Sequence, residues 1–165
     1  MLNEFVTYFE KLSEAHAKVQ HVPEKSIHYA YLEDQKDNII PSELEYPLVQ
    51  FGHEGYSYTG TSGSWKKSYK CSLTITSHVE DTGDAALIER TIAEMEGIMD
   101  DFIGKMMSDR KSNKYKYLRS MDISNSQVVP VQGADDALFG CTTNFVLNVG
   151  WCAIPADGVF DDSKL

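Results

Sequence analysis

The stretch that decides the fold is YKCSLTITSHVEDTGDAALIERTIAEMEGIMDDFIGKMM, residues 69–107. From Tyr69 to Ile75 apolar residues alternate strictly with polar ones, which is typical of a strand with one buried face. From residue 84 to residue 109 the apolar residues recur every three or four positions, which is the period of an α-helix. A strand followed directly by a long amphipathic helix predicts that the helix packs on a sheet.

The connection between them, HVEDTGD at residues 78–84, has two interpretations. A metal or general-base site would use its ionisable side chains, His78, Glu80, Asp81 and Asp84. Such groups must converge in a fixed geometry, yet the first two leave a strand and the last begins a helix. As a turn, His78 ends the strand, Gly83 eases the reversal of the chain, and Thr82 or Asp84 caps the helix. We favour the turn, and predict no metal, cofactor or catalytic residue here.

The spacing of apolar residues predicts the remaining elements. Residues 2–20 should form an amphipathic helix, and strands are expected from Ile27 to Leu32 and from Tyr46 to Phe51. The C-terminal third supplies two short strands, YLRSMDI and SQVVPVQ, a polar turn GADD, and a last strand from Leu138 to Ala153. The predicted fold class is α+β: a mixed, mostly antiparallel sheet covered by one long helix, with an additional N-terminal helix.

Residues 52–66 are rich in Gly, Ser and Tyr, and two interpretations of them are open. A flexible loop of this composition suits contact with a partner protein. Alternatively, the segment forms a long β-hairpin whose aromatic residues pack on their own sheet. In the first interpretation the contact residues are Tyr56, Tyr58 and Trp65.

Length and composition limit the class of protein. A chain of 165 residues is expected to form one domain, residues 1–155, with an acidic C-terminal tail at 156–165. No window approaches the roughly 18 consecutive apolar residues of a membrane helix, and the N-terminus lacks the pattern of a secretory signal. The three cysteines, Cys71, Cys141 and Cys152, are far apart, so we expect them to be reduced in the cytoplasm.

Charge is unevenly distributed along the chain. The net charge is −10, but Lys105 to Arg119 holds six basic residues and one acidic residue, +5, which leaves −15 on the remainder. The net negative charge argues against tight binding of nucleic acid over a broad surface. The basic segment either keeps its surroundings soluble or docks on an acidic face of a neighbouring subunit. For docking, the contact residues are Lys111, Lys114, Lys116 and Arg119.

Other ionisable pairs give no catalytic assignment. His53 and Glu54 are adjacent, but neighbouring residues of an extended chain point to opposite sides. A catalytic pair also needs a pocket and a third group that positions it, and the sequence indicates neither. The alternative function is a small ligand-binding or enzymatic α+β domain that uses His53, Glu54 or His78.

The order of elements resembles a known class of proteins. An amphipathic helix is followed by a strand at YPLVQFGHE, a glycine-rich connection, the strand and turn YKCSLTITSHVEDTGD, the helix IERTIAEMEGIMDDFIGKMM, and strands that end in FVLNVGW. From residue 27 to 154 this pattern resembles the neck and tail-completion proteins of tailed bacteriophages, in the tail-terminator or head-tail-joining class. Its composition, rich in aromatic residues and methionine, is similar to that of ring proteins of crAss-like and other Bacteroidetes phages. The N-terminal helix and the polar segment 33–45 depart from the pattern.

The resemblance implies a structural role without catalytic residues or a cofactor. Such a subunit assembles with copies of itself into a ring between the head or portal and the tail of a virion, and contacts neighbouring neck and tail proteins. Assembly takes place in the host cytoplasm, and the ring leaves a passage in which genomic DNA makes only passing contact. A second alternative is a subunit of a contractile injection apparatus that shares the plan of a phage tail.

Overall fold

The computed structural model describes residues 2–33, 44–61, 64–132 and 137–150, and it has the α+β architecture that the sequence predicts. Two α-helices accompany a mixed, mostly antiparallel six-stranded sheet. The elements are α1 (Leu2–Ala15), β1 (Ile27–Glu33), β2 (Leu44–Thr59), β3 (Lys66–His78), α2 (Ala85–Lys111), a 3-10 helix (Lys116–Ser120), β4 (Met121–Asp122), β5 (Val128–Gln132) and β6 (Leu138–Gly150). Residues 133–136 and 151–165, which include the predicted turn GADD, Cys152 and the acidic tail, lie outside the described residues.

The sheet is built around the pair β3 and β6. These strands are antiparallel and remain in register from Lys66 opposite Gly150 to His78 opposite Leu138. β2 lies on the other side of β3, and β1 joins β2 as the one parallel neighbour in the described sheet. β4 and β5 both pair with the free edge of β6. The long last strand is therefore central in the sheet.

The core lies between one face of this sheet and the two helices. Val49, Ile75 and Cys141 stand directly opposite one another on three adjacent strands, so they share that face. α2 covers it with a buried stripe, Met95, Ile98, Met99, Phe102 and Met106. α1 adds Phe9, whose ring stacks on Phe51 with the centroids 4.8 Å apart. The N-terminal helix thus packs on the sheet of its own subunit.

The connection between β3 and α2 forms a turn and a helix cap. β3 ends at His78, and the backbone N–H of Gly83 donates to the Asp81 carboxylate at 2.9 Å. Asp84 is the N-cap residue, and its side chain accepts from the Leu87 N–H at 3.1 Å. Among the described residues no group of three His, Cys, Asp or Glu side chains could hold a metal ion. The capping interpretation of HVEDTGD is confirmed, because the carboxylates bind backbone amides.

One predicted helix and one predicted strand are shorter in the structure. The helix predicted over residues 2–20 ends at Ala15, since the carbonyl of His16 accepts from the N–H groups of both Val19 and Gln20 in a turn. The strand predicted for YLRSMDI is wrong over most of its length, because Lys116–Ser120 is a 3-10 helix and only Met121–Asp122 is extended. Burial of Leu118 against the core favours the helical turn over an extended edge.

Two of the three cysteines behave as small core residues. Cys71 and Cys141 are buried and free, and burial raises the pKa of each thiol to about 12. Both are therefore protonated at neutral pH and poor nucleophiles. No helix in the described part of the chain is long and apolar enough to cross a membrane.

A buried carboxylate links the two helices. Asp109 of α2 is only 4 % exposed, accepts from the Tyr8 hydroxyl of α1 at 3.1 Å, and accepts from Lys105 at 2.6 Å. Burial alone would raise the pKa of this carboxyl, but the hydrogen bonds from Lys105 and Tyr8 lower it below its usual range. The charged form is therefore the one that the folded protein stabilises.

We predict that Asp109→Asn lowers the free energy of unfolding by about 1–2 kcal/mol at pH 7, because both hydrogen bonds lose their charge-assisted character. The folded-state pKa lies below the ordinary value of about 3.9. The stabilisation by the ionised Asp109 carboxylate is therefore fully present above the ordinary pKa. It is lost as the pH falls through the folded-state pKa. Urea denaturation of the wild-type protein and the variant, at pH 7 and at pH near 2.5, measures the loss of stability and its dependence on pH. Asp100→Asn, an exposed position of the same helix, is the control, and equal stability of the two variants at pH 7 would contradict the prediction.

Candidate assembly surface

Most of the segment predicted as a loop is strand. β2 continues to Thr59, and its residues after Gly52 pair with the start of β3 in a hairpin. We call residues 52–59 and 66–71 the arm. At its tip Ser64 donates its backbone N–H to the Thr61 carbonyl at 2.9 Å. The loop interpretation is wrong for residues 52–59, and the alternative of a long hairpin is correct.

A β-bulge decides which way the tyrosines of the arm point. His53 pairs with Cys71, but Tyr56 pairs with Tyr69, so β2 has one more residue than β3 between these pairs. Gly55, with φ of +94°, lies in the bulge, where a residue without a Cβ adopts this backbone most easily. Without the extra residue, strict alternation would place Tyr56 on the face opposite His53. The bulge returns Tyr56 to the face that bears the core.

The aromatic side chains on this face form a continuous series from the core to the arm. Tyr31 stacks between Phe51 and His53, at centroid distances of 5.9 and 6.1 Å. The series continues through Tyr69, 6.0 Å from His53, and Tyr56, 5.5 Å from Tyr69. It ends at Tyr58, 5.6 Å from Tyr56. We call these residues the aromatic array: Phe9, Phe51, Tyr31, His53, Tyr69, Tyr56 and Tyr58.

The inner end of the array is buried and the outer end is not. Phe51 is fully buried, whereas Tyr56 and Tyr58 are 52 % and 47 % exposed. Trp65, the residue immediately before β3, is 38 % exposed. The array is therefore a continuation of the core face beyond the cover of the helices. Large exposed aromatic side chains grouped on a β-hairpin are typical of a protein interaction surface.

A lysine adds positive charge to the outer end. Lys67 stands opposite Tyr58 in the hairpin, and its ammonium lies 3.6 Å from the centre of the Tyr56 ring. A hydrogen bond with Tyr69 raises the pKa of Lys67, and a hydrogen bond with Tyr56 raises the pKa of Tyr58. The outer end of the array therefore has a cation against the face of a tyrosine ring.

The basic residues predicted to make contacts lie at the same end of the sheet. Lys111, Lys114, Lys116 and Arg119 are all exposed. Tyr56, Tyr69, Leu147 and Met121 form one row across four strands, so the basic segment that precedes Met121 reaches the sheet about 14 Å from Tyr56. Lys105 differs, because it is paired with Asp109. An open hollow of about 630 Å³ is lined by Met107, Ser108, Arg110, Lys111 and Arg119.

The candidate catalytic residues are not brought together. His53 is hydrogen-bonded to the Tyr31 hydroxyl at 3.1 Å within the array, whereas Glu54 is exposed and lines a hollow on the opposite face. The two side chains thus lie on opposite sides of β2, as extended geometry requires. His78 ends β3, 6.2 Å from the ring of Tyr46.

The structure assembles one serine, histidine and glutamate cluster that the sequence does not reveal. His28 contacts the Pro47 carbonyl through Nδ1 at 2.9 Å and the Ser26 hydroxyl through Nε2 at 3.1 Å. The Ser26 hydroxyl donates its hydrogen to the Glu45 carboxylate, at 2.6 Å, rather than to His28. Because the carboxylate lies on the serine side of the ring, it does not orient the imidazole from behind as in a hydrolase triad. The cluster ties the start of β1 to the start of β2.

Comparison of the chain with models of known protein families and with curated proteins finds no match. The functional argument therefore depends on the geometry of the arm and the basic segment. Sequence reasoning identified Tyr56, Tyr58 and Trp65, but it missed Lys67 and the face that the tyrosines share. The signal for that face was Gly55, since an isolated glycine inside a strand pattern indicates a bulge.

We predict that Gly55→Ala destabilises the protein by about 1 kcal/mol, because an L-residue is strained at this φ. An added Cβ would meet no atom within 4 Å, so the loss reports backbone strain alone. Gly97→Ala, inside α2 and equally free of contacts, should instead stabilise by up to about 1 kcal/mol. Urea denaturation compares the free energies of unfolding of the two variants. If Gly55→Ala stabilised the protein, the bulge at Gly55 would be contradicted.

Proposed function

We propose that this chain is a structural, non-catalytic subunit that assembles with copies of itself into a ring of a phage virion neck or tail. The ring would join the head or portal side to the tail side and leave a passage for DNA. The observation that supports this proposal is the outer end of the aromatic array. There the Gly55 bulge presents Tyr56 and Tyr58, half exposed, on the face that forms the core further in.

The array suits an interface because it combines exposed rings with a buried inner end. Tyr and Trp are enriched at the centres of protein interfaces, where they bury a large area at a low cost in side-chain entropy. The rings of Tyr56 and Tyr58 are held by contacts with each other, with Tyr69 and with Lys67. Their order before binding lowers the entropy lost on association.

The charge distribution is compatible with a ring. A ring needs a heterologous interface, in which one face of a subunit meets a different face of the next. The segment Lys105–Arg119 has a charge of +5 and the remainder −15, so the basic segment of one copy can pair with acidic residues of its neighbour. Such complementarity fixes the register of the contact and makes assembly sensitive to salt.

The net charge of −10 also suits a passage for DNA. A lining with net negative charge repels phosphates, so a genome slides past without being held. A protein that grips DNA would instead present Lys and Arg along the path of the backbone. Passing contact with DNA is therefore part of the proposal.

We predict that Tyr58→Ser with Trp65→Ser leaves the fold intact and weakens assembly about tenfold or more, because two exposed aromatic contacts are lost. Light scattering after gel filtration over a range of protein concentrations measures the change, and circular dichroism checks the fold. Val22→Ser with Val129→Ser removes exposed apolar side chains elsewhere and should assemble normally. The proposal fails if the wild-type chain is a monomer at every concentration, alone and with a candidate portal protein.

Charge reversal tests the basic segment separately. We predict that Lys114→Glu with Lys116→Glu weakens assembly, because two cations that face an acidic neighbour become repulsive. The unmodified ring should also dissociate as sodium chloride is raised, since its exposed charges are screened. Lys11→Glu with Lys25→Glu makes the same change in net charge at exposed positions away from this segment. Equal weakening by both pairs would show that only the net charge matters.

A further inference from the structure

A notch interrupts the edge of the sheet between β4 and β5. β4 pairs with Val146 and Leu147 of β6, and β5 begins opposite Thr143. Asn144 and Phe145 of β6 therefore have no strand partner on this edge within the described sheet. Residues 123–127, which link β4 to β5, form no strand there.

Two hollows adjoin at this notch. The outer one, of about 330 Å³, opens on the sheet face away from the helices, and its polar lining is Glu54, Lys70, Asp122, Asn125, Ser126 and Asn144. The inner one, of about 110 Å³, lies between the sheet and α2, where Ile103, Met106, Ile123 and Val128 form apolar walls. Ser126 and Phe145 line both hollows, so the hollows adjoin at the gap between the loop and the edge of β6.

Two residues that line the inner hollow, Thr143 and Ser126, have buried hydroxyls without partners in the described part of the chain. Thr143 is only 2 % exposed, and neither its Oγ1 nor the buried Oγ of Ser126 has a hydrogen-bond partner among the described residues. A buried hydroxyl without a partner destabilises the fold, and both residues line this one hollow. A bound group that donates and accepts hydrogen bonds there would remove both penalties.

The outer hollow presents both signs of charge. Lys70 and Glu54 line it, and neither has an ion-pair partner among the described residues. Asp122 accepts through Oδ1 from the hydroxyl and N–H of Ser124, which lowers the pKa of its carboxyl, so it is ionised at neutral pH. The amides of Asn125 and Asn144 add donors and acceptors. One cation, two anions and two amides are suited to the ammonium and carboxylate of a zwitterion.

We propose that the notch binds a free α-amino acid with an uncharged amide side chain, the ammonium and carboxylate in the outer hollow and the side chain in the inner one. Lys70 pairs with the ligand carboxylate, and Glu54 and Asp122 attract its ammonium. The side-chain amide exchanges hydrogen bonds with Thr143 and Ser126. The inner hollow is smaller than the cavity of about 150 Å³ that holds benzene in an engineered protein, so it admits a side chain of only a few atoms. Its apolar walls exclude a charged side chain, whose burial is costly.

Titration calorimetry with L-glutamine tests the site. We expect saturable binding, with L-glutamate and L-norleucine about tenfold or more weaker, because one buries a charge and the other leaves the hydroxyls unpaired. Thr143→Val keeps the shape of the side chain but removes its hydroxyl. It should therefore lower the affinity for glutamine to about that for norleucine. Lys70→Met should weaken all three ligands, whereas Lys66→Met, on the same strand but outside the hollow, should weaken none.

A second pair of variants keeps the test decisive if Thr143→Val does not fold. Val128→Phe fills the inner hollow and should abolish the preference for glutamine. Val129→Phe, the next residue of β5 and outside that hollow, should leave it unchanged. The proposal is overturned if no amino acid gives saturable heat, which would mean that the notch holds only water. It is also overturned if glutamine and norleucine bind equally to the wild-type protein.

Discussion

The fold depends on the full-length pairing of β3 with β6. All thirteen residues of β3, from Lys66 to His78, have partners on β6, and the alternate residues on one face, such as Leu73 and Ile75, are completely buried. Because the strand period is two, a slip of one residue would turn this face to solvent. The pairing therefore fixes where the helices pack, where β2 aligns and where the arm ends.

The register of this pair explains how far sequence reasoning succeeds. Strict alternation around Leu73 and the helical period of α2 both report directly on burial, so the fold class and the central elements could be predicted. The 3-10 helix before Met121 could not, because Leu118 is buried by tertiary contacts rather than by a local pattern. The N-cap at Asp84 could be predicted, since capping is a local interaction between a side chain and nearby amides.

The candidate surface likewise combines features that local sequence predicts with features that depend on tertiary contacts. The composition of residues 52–66 identifies the exposed aromatic residues, but their common face depends on the bulge at Gly55 and on the partner strand. The notch beside β6 is a non-local feature throughout, since Lys70, Asp122 and Thr143 come from three separate strands. No pattern of spacing along the sequence indicates that such residues lie at one site.

The central claim is that the outer end of the aromatic array is buried between copies of this chain. Amide hydrogen exchange, measured on the dispersed and the assembled protein, tests it most directly. We expect the amides of residues 56–59 and 66–69 to exchange more slowly after assembly, while those in the centre of α2 stay unchanged. Assembly that leaves exchange in these two segments unaltered, with protection gained only elsewhere, would contradict the account.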